Sequence, residues 1–178
     1  MTRFGYWSLV ISIVGLGFAT PCAAQVSNTQ RFRVAVPVAL AIQSPANQVT
    51  ITHDETDNNQ VFPPQAWQVQ ANAIAGATVQ FSTNHSFWNA SDNTFRRDAR
   101  LELAIGSSDA AAAWNVTLGS DETDYAAVVP DEVATVEAVS ARPGDASFNL
   151  TVTFLTGDHS TLASGVYRMR VTGTITAN

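Results

Sequence analysis

Apolar and polar residues alternate along most of this chain, and this period of two constrains the fold more than any other feature of the sequence. Residues 148–154 (FNLTVTF) show it most clearly, because one asparagine and two threonines separate four large apolar side chains. Such alternation is typical of a β-strand with one buried face. The pattern recurs at residues 32–42, 67–69, 79–81, 101–105, 114–118, 133–139 and 167–175.

No helical period is sustained after residue 25, and turn-forming residues separate the alternating stretches. About eight or nine strands at such spacing predict an all-β fold, a single antiparallel β-sandwich of the immunoglobulin-like type. A closed β-barrel is the second choice. Residues 53–64 are predicted to form an exposed acidic loop, and residues 83–97, which have no clean period, a long loop or crossover.

The first 24 residues have the composition of a cleaved signal peptide. Arg3 gives a basic start, residues 7–19 are almost entirely apolar, and residues 20–24 are mostly small, as a signal peptidase requires. The apolar run is shorter than the roughly 18 residues that indicate a membrane span. We therefore expect an exported protein with one domain, residues 25–178, in the periplasm or at the cell surface.

The only cysteine, Cys22, lies in this leader. It is either removed with the signal peptide, which we favour, or it is a lipidation site. In the first case the mature domain has no disulfide, although small exported domains usually rely on them. Its stability must then come from packing and strand pairing.

The charge balance argues against nucleic acid as a partner. The chain has 15 acidic residues against nine basic ones, all of them arginine, for a formal net charge of −6. Nucleic-acid binding depends on positive charge gathered against phosphates, and no basic patch occurs in the sequence. The absence of lysine and the abundance of alanine indicate a bacterial genome rich in G and C.

Residues that commonly carry catalysis are scattered along the chain. The three histidines lie in polar contexts without a metal-ligand spacing. Residues 157–160 place Asp, His and Ser side by side, whereas a catalytic triad needs these side chains to converge from separate positions. Glu102 and Glu137 are expected to point outward from strands, which does not suit a glycosidase pair. We therefore predict that the protein is not an enzyme.

Two acidic loops raise the question of calcium. Asp54 and Asp57 lie in the first loop, and Asp121 and Asp124 lie in the second. Calcium takes six to eight oxygen ligands, but neither loop has the spacing of an EF-hand. We favour the interpretation that these carboxylates keep the loops solvated, and we predict no required cofactor.

The tryptophans suggest two different roles. Trp67 and Trp114 are in phase with Val69 and Val116, which predicts that both are core residues. Trp88 lies in a polar stretch, where it either stacks on a sugar ring or folds back to cover one end of the sandwich. We favour the cap and keep sugar binding as the alternative.

The leader, the alternating residues 32–42 and the ending from Gly165-Val166-Tyr167 to residues 171–175 (VTGTI) resemble cysteine-free bacterial fimbrial, or pilin-like, subunits assembled by a chaperone and an usher. The Gly-x-Tyr ending is also similar to that of coat-type secreted domains. The resemblance implies a fimbrial-like β-sandwich whose N-terminal strand is donated to the neighbouring subunit.

These observations favour an exported bacterial structural or adhesion-type protein of the cell surface. The alternatives are a carbohydrate-binding module of the cell envelope and a periplasmic protein of unknown role. The expected partners are like subunits or envelope carbohydrates. Residues 32–42 decide whether the protein is a self-contained domain or a subunit, since their six apolar side chains must pair within the chain or with a neighbour. Of these two arrangements we favour self-pairing.

Overall fold

The computed structural model describes residues 26–178, which contain thirteen β-strands and two single 3-10 turns, Ala110–Ala112 and His159–Thr161. The predicted signal peptide and Cys22 lie outside the described residues. The strands are β1 (Leu40–Gln43), β2 (Gln60–Val61), β3 (Gln65–Ala71), β4 (Ala77–Thr83), β5 (Phe87–Asn89), β6 (Arg96–Arg97), β7 (Ala99–Ser108), β8 (Asn115–Leu118), β9 (Ser120–Glu122), β10 (Thr135–Val139), β11 (Ala146–Phe154), β12 (Tyr167–Arg168) and β13 (Val171–Ala177).

The chain divides into two units, Met1–Ala35 and Val36–Asn178. In the first unit, the described residues 26–35 form no strand and are exposed to solvent. The second unit holds all thirteen strands. Within residues 26–178 no helix has the length and apolar character needed to cross a bilayer.

Every strand pair is antiparallel, and the predicted all-β class is confirmed. The first sheet has the order β1-β3-β11-β7-β9, with β2 added beside the end of β11. The second sheet has the order β13-β4-β10-β8, and a small third sheet has the order β12-β5-β6. Eight of the thirteen strands have four or more residues, and the other five have two or three.

The main core lies where the first two sheets face each other. Phe81 of β4 meets Phe148 of β11 edge to face, with ring centroids 6.4 Å apart. Trp114 also meets Phe148 edge to face, with ring centroids 5.3 Å apart, and Leu101 and Leu150 are fully buried. The residues that alternate in the sequence therefore form the packed interior of a sandwich-like pair of sheets.

A second, smaller cluster of aromatic side chains connects the third sheet to the first. Phe87 of β5 contacts Phe154 at the end of β11, and Phe154 also contacts Tyr167 of β12. Ala99 at the start of β7 completes the buried part of this cluster. The strands β7 and β11 are long enough to contribute to both clusters.

The strand predicted over residues 32–42 is wrong over most of its length, because only β1 forms. In β1, Leu40 lies opposite Ala71, the last residue of β3. Since β3 ends there, no strand lies beside the residues that precede Leu40. Of the self-pairing favoured by the sequence pattern, only the part from Leu40 onward occurs, where β1 pairs with β3, and residues 26–39 form no strand.

The Asn72 side chain takes the place of a partner strand at this point. Its Oδ1 accepts a hydrogen bond from the Ala39 N–H at 2.6 Å, and its Nδ2 donates to the Pro37 carbonyl at 3.0 Å. Pro37 itself has no N–H to donate to a ladder. The sheet therefore stops at Ala39.

Two other predictions about loops need correction. Residues 83–97 are not a plain loop, because β5 and β6 pair there with each other and β5 also pairs with β12. The predicted acidic loop over residues 53–64 includes the short strand β2.

Candidate functional site

The first pair of calcium candidates lies in the loop before β2, where local donors satisfy the carboxylates. Asp54 Oδ1 accepts from the Thr56 N–H, the Thr56 hydroxyl and the Gln60 amide. These hydrogen bonds, those from Thr56 above all, lower the pKa of Asp54. Asp57 Oδ1 accepts from the His159 N–H at 2.8 Å, so it joins this loop to the 3-10 turn at residues 159–161.

The second pair of calcium candidates also accepts hydrogen bonds from protein donors. Asp121 of β9 accepts from the Thr135 N–H at 2.7 Å, and Asp124 accepts from the Ala126 N–H at 3.2 Å. Across the part of the chain that the structure describes, no three His, Cys, Asp or Glu side chains gather around a common point. The structure thus gives each of these four aspartates a hydrogen bond from a protein donor, and those of Asp57 and Asp121 connect separate segments of the chain.

The adjacent Asp, His and Ser of residues 157–160 lie at the 3-10 turn His159–Thr161, and Asp158 is its N-cap residue. Asp158 Oδ1 accepts from both the N–H and the hydroxyl of Ser160. The ring of His159 stacks on that of His53, with centroids 5.4 Å apart. The serine hydroxyl is therefore directed to the aspartate, and the histidine ring packs against a second imidazole.

Trp88 lies at the centre of the third sheet, where the pairing register decides its neighbours. Arg96 of β6 lies opposite Trp88 on one side, and Arg168 of β12 lies opposite it on the other. Residues directly opposite in antiparallel strands project to the same face, with Cβ atoms roughly 4.5–5.5 Å apart. Trp88 is therefore flanked by two arginines on one face, which we call the Trp88 face.

The opposite face of this small sheet fixes it to the domain. Phe87 and Asn89, the neighbours of Trp88 in sequence, are buried. Asn89 donates to the Ser164 carbonyl at 3.1 Å. Arg97 donates from Nε to the Thr156 carbonyl at 2.8 Å. Because the inner face is packed and hydrogen-bonded, the backbone under Trp88 is held in place.

A cleft of about 200 Å³ opens beside the indole. Its lining consists of His85, Trp88, Asn93, Arg96 and Glu132. The His85 ring meets the Trp88 ring edge to face at 5.6 Å, and Arg96 Nη1 donates to Glu132 Oε1 at 2.5 Å. The cleft therefore combines one half-exposed aromatic surface with an ion pair, an amide and an imidazole.

Sequence reasoning singled out Trp88 but did not place any of the surrounding groups beside it. His85, Asn93 and Arg96 lie in the stretch that was predicted to be a loop, so the pattern gave no reason to place them together. Arg168 was readable only as an outward residue of the last predicted strand. The pairing of β5 with both β6 and β12 joins these positions, which are far apart in sequence.

The N-terminal segment is the second feature that stands out. Phe32, Val34, Val36 and Val38 are 86%, 87%, 78% and 63% exposed, respectively. They are alternate residues, so in an extended backbone all four side chains would lie on one face. Such a row of exposed apolar side chains is unusual for a folded protein in water.

The outer strands of the two main sheets, β1 and β13, carry half-buried apolar residues. Leu40 and Ile42 of β1, like Val171 and Ile175 of β13, pack against the main core while remaining partly accessible. Each of these strands is the last in its sheet, so one side of its backbone has no ladder partner among the described residues. These edges are able to accept an added strand.

Comparison of the chain with protein-family models, with curated proteins and with solved structures gives no match.

Proposed function

We propose that this protein is an exported, non-catalytic structural or adhesion-type subunit of the bacterial cell surface, whose copies associate through residues 32–38. The observation that carries the proposal is the exposure of the four alternate apolar side chains Phe32, Val34, Val36 and Val38. The predicted signal peptide supports export, and the fimbrial-like sequence pattern supports a role as a subunit.

Burial of these side chains is the driving force for association. Burying one large apolar side chain is worth about 1.5–3 kcal/mol, so four of them supply a substantial gain when a partner covers them. Ordering the segment and bringing two molecules together oppose this gain. An extended segment with alternate apolar residues is the form of chain that adds to the edge of a sheet.

The edges β1 and β13 of a second copy are the receiving surface. An added strand would pair its backbone with an unpaired edge and place its apolar face over the half-buried residues Leu40, Ile42, Val171 and Ile175. The chain has no lysine, a residue that often protects exposed edges from such pairing. Contact between two different surfaces of like subunits builds an open, head-to-tail assembly.

The mature protein, residues 25–178, tests this proposal by size-exclusion chromatography with light scattering over a range of concentrations. We expect wild-type protein to form assemblies whose mass rises with concentration. Val34→Asp combined with Val36→Asp should keep the protein monomeric without lowering its Tm, because both side chains are exposed. Val128→Asp is the control, since Val128 is fully exposed in the loop between β9 and β10, and it should assemble like wild type.

The proposal fails if wild-type protein stays monomeric at the highest concentration reached. It also fails if the double variant and Val128→Asp assemble to the same extent as wild type. Circular dichroism of all three proteins establishes that any loss of assembly does not come from loss of fold.

A further inference from the structure

We propose that the Trp88 face binds one pyranose ring that carries a carboxylate, as in the hexuronic acid residues of acidic glycans. This inference is independent of the assembly proposed above, because no residue of the Trp88 face lies in residues 32–38 or in the edge strands β1 and β13.

The aromatic part of the site is the indole of Trp88. The C–H groups on one face of a pyranose ring form an apolar patch that packs on a flat aromatic surface. Trp88 is half-buried, so part of the ring is open, and the packed inner face beneath it keeps its position fixed. His85, set edge to face against the indole, closes one side of the cleft.

The polar groups around the indole suit the hydroxyls of a sugar. Glu132 uses Oε1 to accept from Arg96, and the carboxylate has further lone pairs that can accept from ring hydroxyls. Asn93 adds an amide with both donors and an acceptor. Ligand sites of this kind combine one apolar surface with a few convergent polar groups.

The charge on this face indicates an acidic sugar. Arg96 is already paired with Glu132, whereas the exposed Arg168 makes no ion pair and no side-chain hydrogen bond within residues 26–178. A free guanidinium directly opposite Trp88 is therefore available to a carboxylate, which it binds through two parallel hydrogen bonds.

The dimensions limit the ligand to a single ring at this position. The cleft, at about 200 Å³, is smaller than the roughly 300–1,000 Å³ of sites that enclose a drug-sized ligand. We therefore expect affinity on the order of 1 mM for a monosaccharide, which corresponds to about 4 kcal/mol.

The test is an NMR titration of the mature protein that follows the indole N–H signals of Trp67, Trp88 and Trp114. The probes are methyl glucuronide, methyl glucoside and sodium acetate. We expect methyl glucuronide to shift the Trp88 signal and to leave those of Trp67 and Trp114 in place. Methyl glucoside, which lacks the carboxylate and so its charge-assisted contact with Arg168, should bind about tenfold more weakly.

Two variants separate the contribution of the Arg168 guanidinium from that of the Trp88 indole. Arg168→Gln should reduce the affinity for methyl glucuronide to that for methyl glucoside, and Trp88→Phe should weaken both sugars. Arg142→Gln is the matched control, because Arg142 is an exposed arginine in the turn before β11, and it should bind like wild type.

The proposal is overturned if methyl glucuronide does not move the Trp88 signal at concentrations on the order of 10 mM. It is also overturned if both sugars bind equally, if Arg168→Gln has no effect, or if acetate alone reproduces the shift. Because Arg168 is exposed, its variant keeps the test valid even if Trp88→Phe unfolds the protein.

Discussion

Trp67 and Trp114 have nearly identical local sequences, Ala-Trp-Gln-Val and Ala-Trp-Asn-Val, yet they occupy different environments. Trp114 is 7% exposed, and its indole N–H donates to the Gly144 carbonyl at 3.3 Å. Trp67 is half-buried and meets Phe81 edge to face at 5.2 Å. The prediction that both are core residues is confirmed for Trp114, while Trp67 lies at the margin of the core.

Replacement of the two tryptophans should therefore have unequal costs. Trp114→Ala leaves a cavity in the packed interior and should lower the free energy of unfolding by about 3–5 kcal/mol. Trp67→Ala should cost less, because part of that side chain is already in contact with water. Urea denaturation of both variants measures the difference. Equal losses would contradict the assignment of Trp67 to the margin.

Asp98 is a carboxylate whose environment opposes its charge. Burial raises its pKa above the ordinary value of 3.8, although its side chain accepts from the Tyr125 N–H and the Thr123 hydroxyl. Below pH 3.8 both the folded and the unfolded chain hold this proton. As the pH rises past 3.8 the unfolded chain ionises first, so the folded state loses stability until the raised pKa is passed.

Asp98→Asn should remove this effect and keep an acceptor oxygen for both donors. At neutral pH we expect the variant to melt at a higher temperature than wild type. The difference in melting temperature between the variant and wild type should narrow as the pH falls toward and below 3.8. Calorimetry over a pH series measures this difference. A difference in melting temperature that does not change with pH would show that it does not come from the ionisation of Asp98.

At the scale of elements, the alternation in the sequence indicates which segments are able to form a strand. It does not indicate which other segment each strand pairs with. The alternation in residues 32–42 is real, but β3 ends at Ala71 and leaves no chain for the first part to pair with. The strands β5 and β6 were missed because Asn89 and Arg97 face inward, and these polar residues hide the alternation. The inward positions of Asn89 and Arg97 depend on hydrogen bonds to the carbonyls of residues 164 and 156, and a local sequence pattern contains no information about these distant partners.

The approach of β1 to β13 depends on a glycine. A Cβ placed at Gly173 would lie 2.8 Å from Ile42 Cδ1 and 3.1 Å from Trp67 Cζ3. Gly173→Ala should therefore overpack this margin of the core and cost about 1–3 kcal/mol. Ile42→Val removes the Cδ1 atom, so the double variant should recover part of the loss.

Thermal denaturation of the two single variants and the double variant tests this contact. Thr174→Ala, at the next and exposed position of β13, is the control and should change stability little. Additive losses in the double variant would mean that Ile42 does not crowd the new methyl group.

At the scale of the whole molecule, the acidic loops are held by protein donors. Asp57 and Asp121 each accept a backbone hydrogen bond from a residue distant in sequence, as the contacts with His159 and Thr135 show. Because these carboxylates already accept hydrogen bonds from protein donors, we predict that EDTA shifts the Tm of residues 25–178 by no more than about 1 °C. A loss of many degrees that added calcium restores would make Asp54, Asp57, Asp121 and Asp124 its ligands.

The two apolar clusters should unfold as one cooperative unit. The strands β7 and β11 run through both clusters, and Val152 packs against each of them. Loss of the third sheet would expose Phe154 at the end of β11, and the ladder that this end of β11 forms with β2 and β7 would lose its support. We therefore predict that the native indole signals of Trp88 and Trp114 disappear at the same urea concentration.

Phe154→Leu provides the decisive variant for this coupling. Phe154 contacts Phe87 and Tyr167 in the smaller cluster, so its truncation weakens the third sheet directly. In a single cooperative unit the midpoints of both indole signals fall together, although Trp114 lies in the other cluster. If the Trp88 signal is lost first while that of Trp114 keeps its wild-type midpoint, the third sheet opens by itself. The Trp88 face would then lie on a locally unstable element that unfolds before the two main sheets.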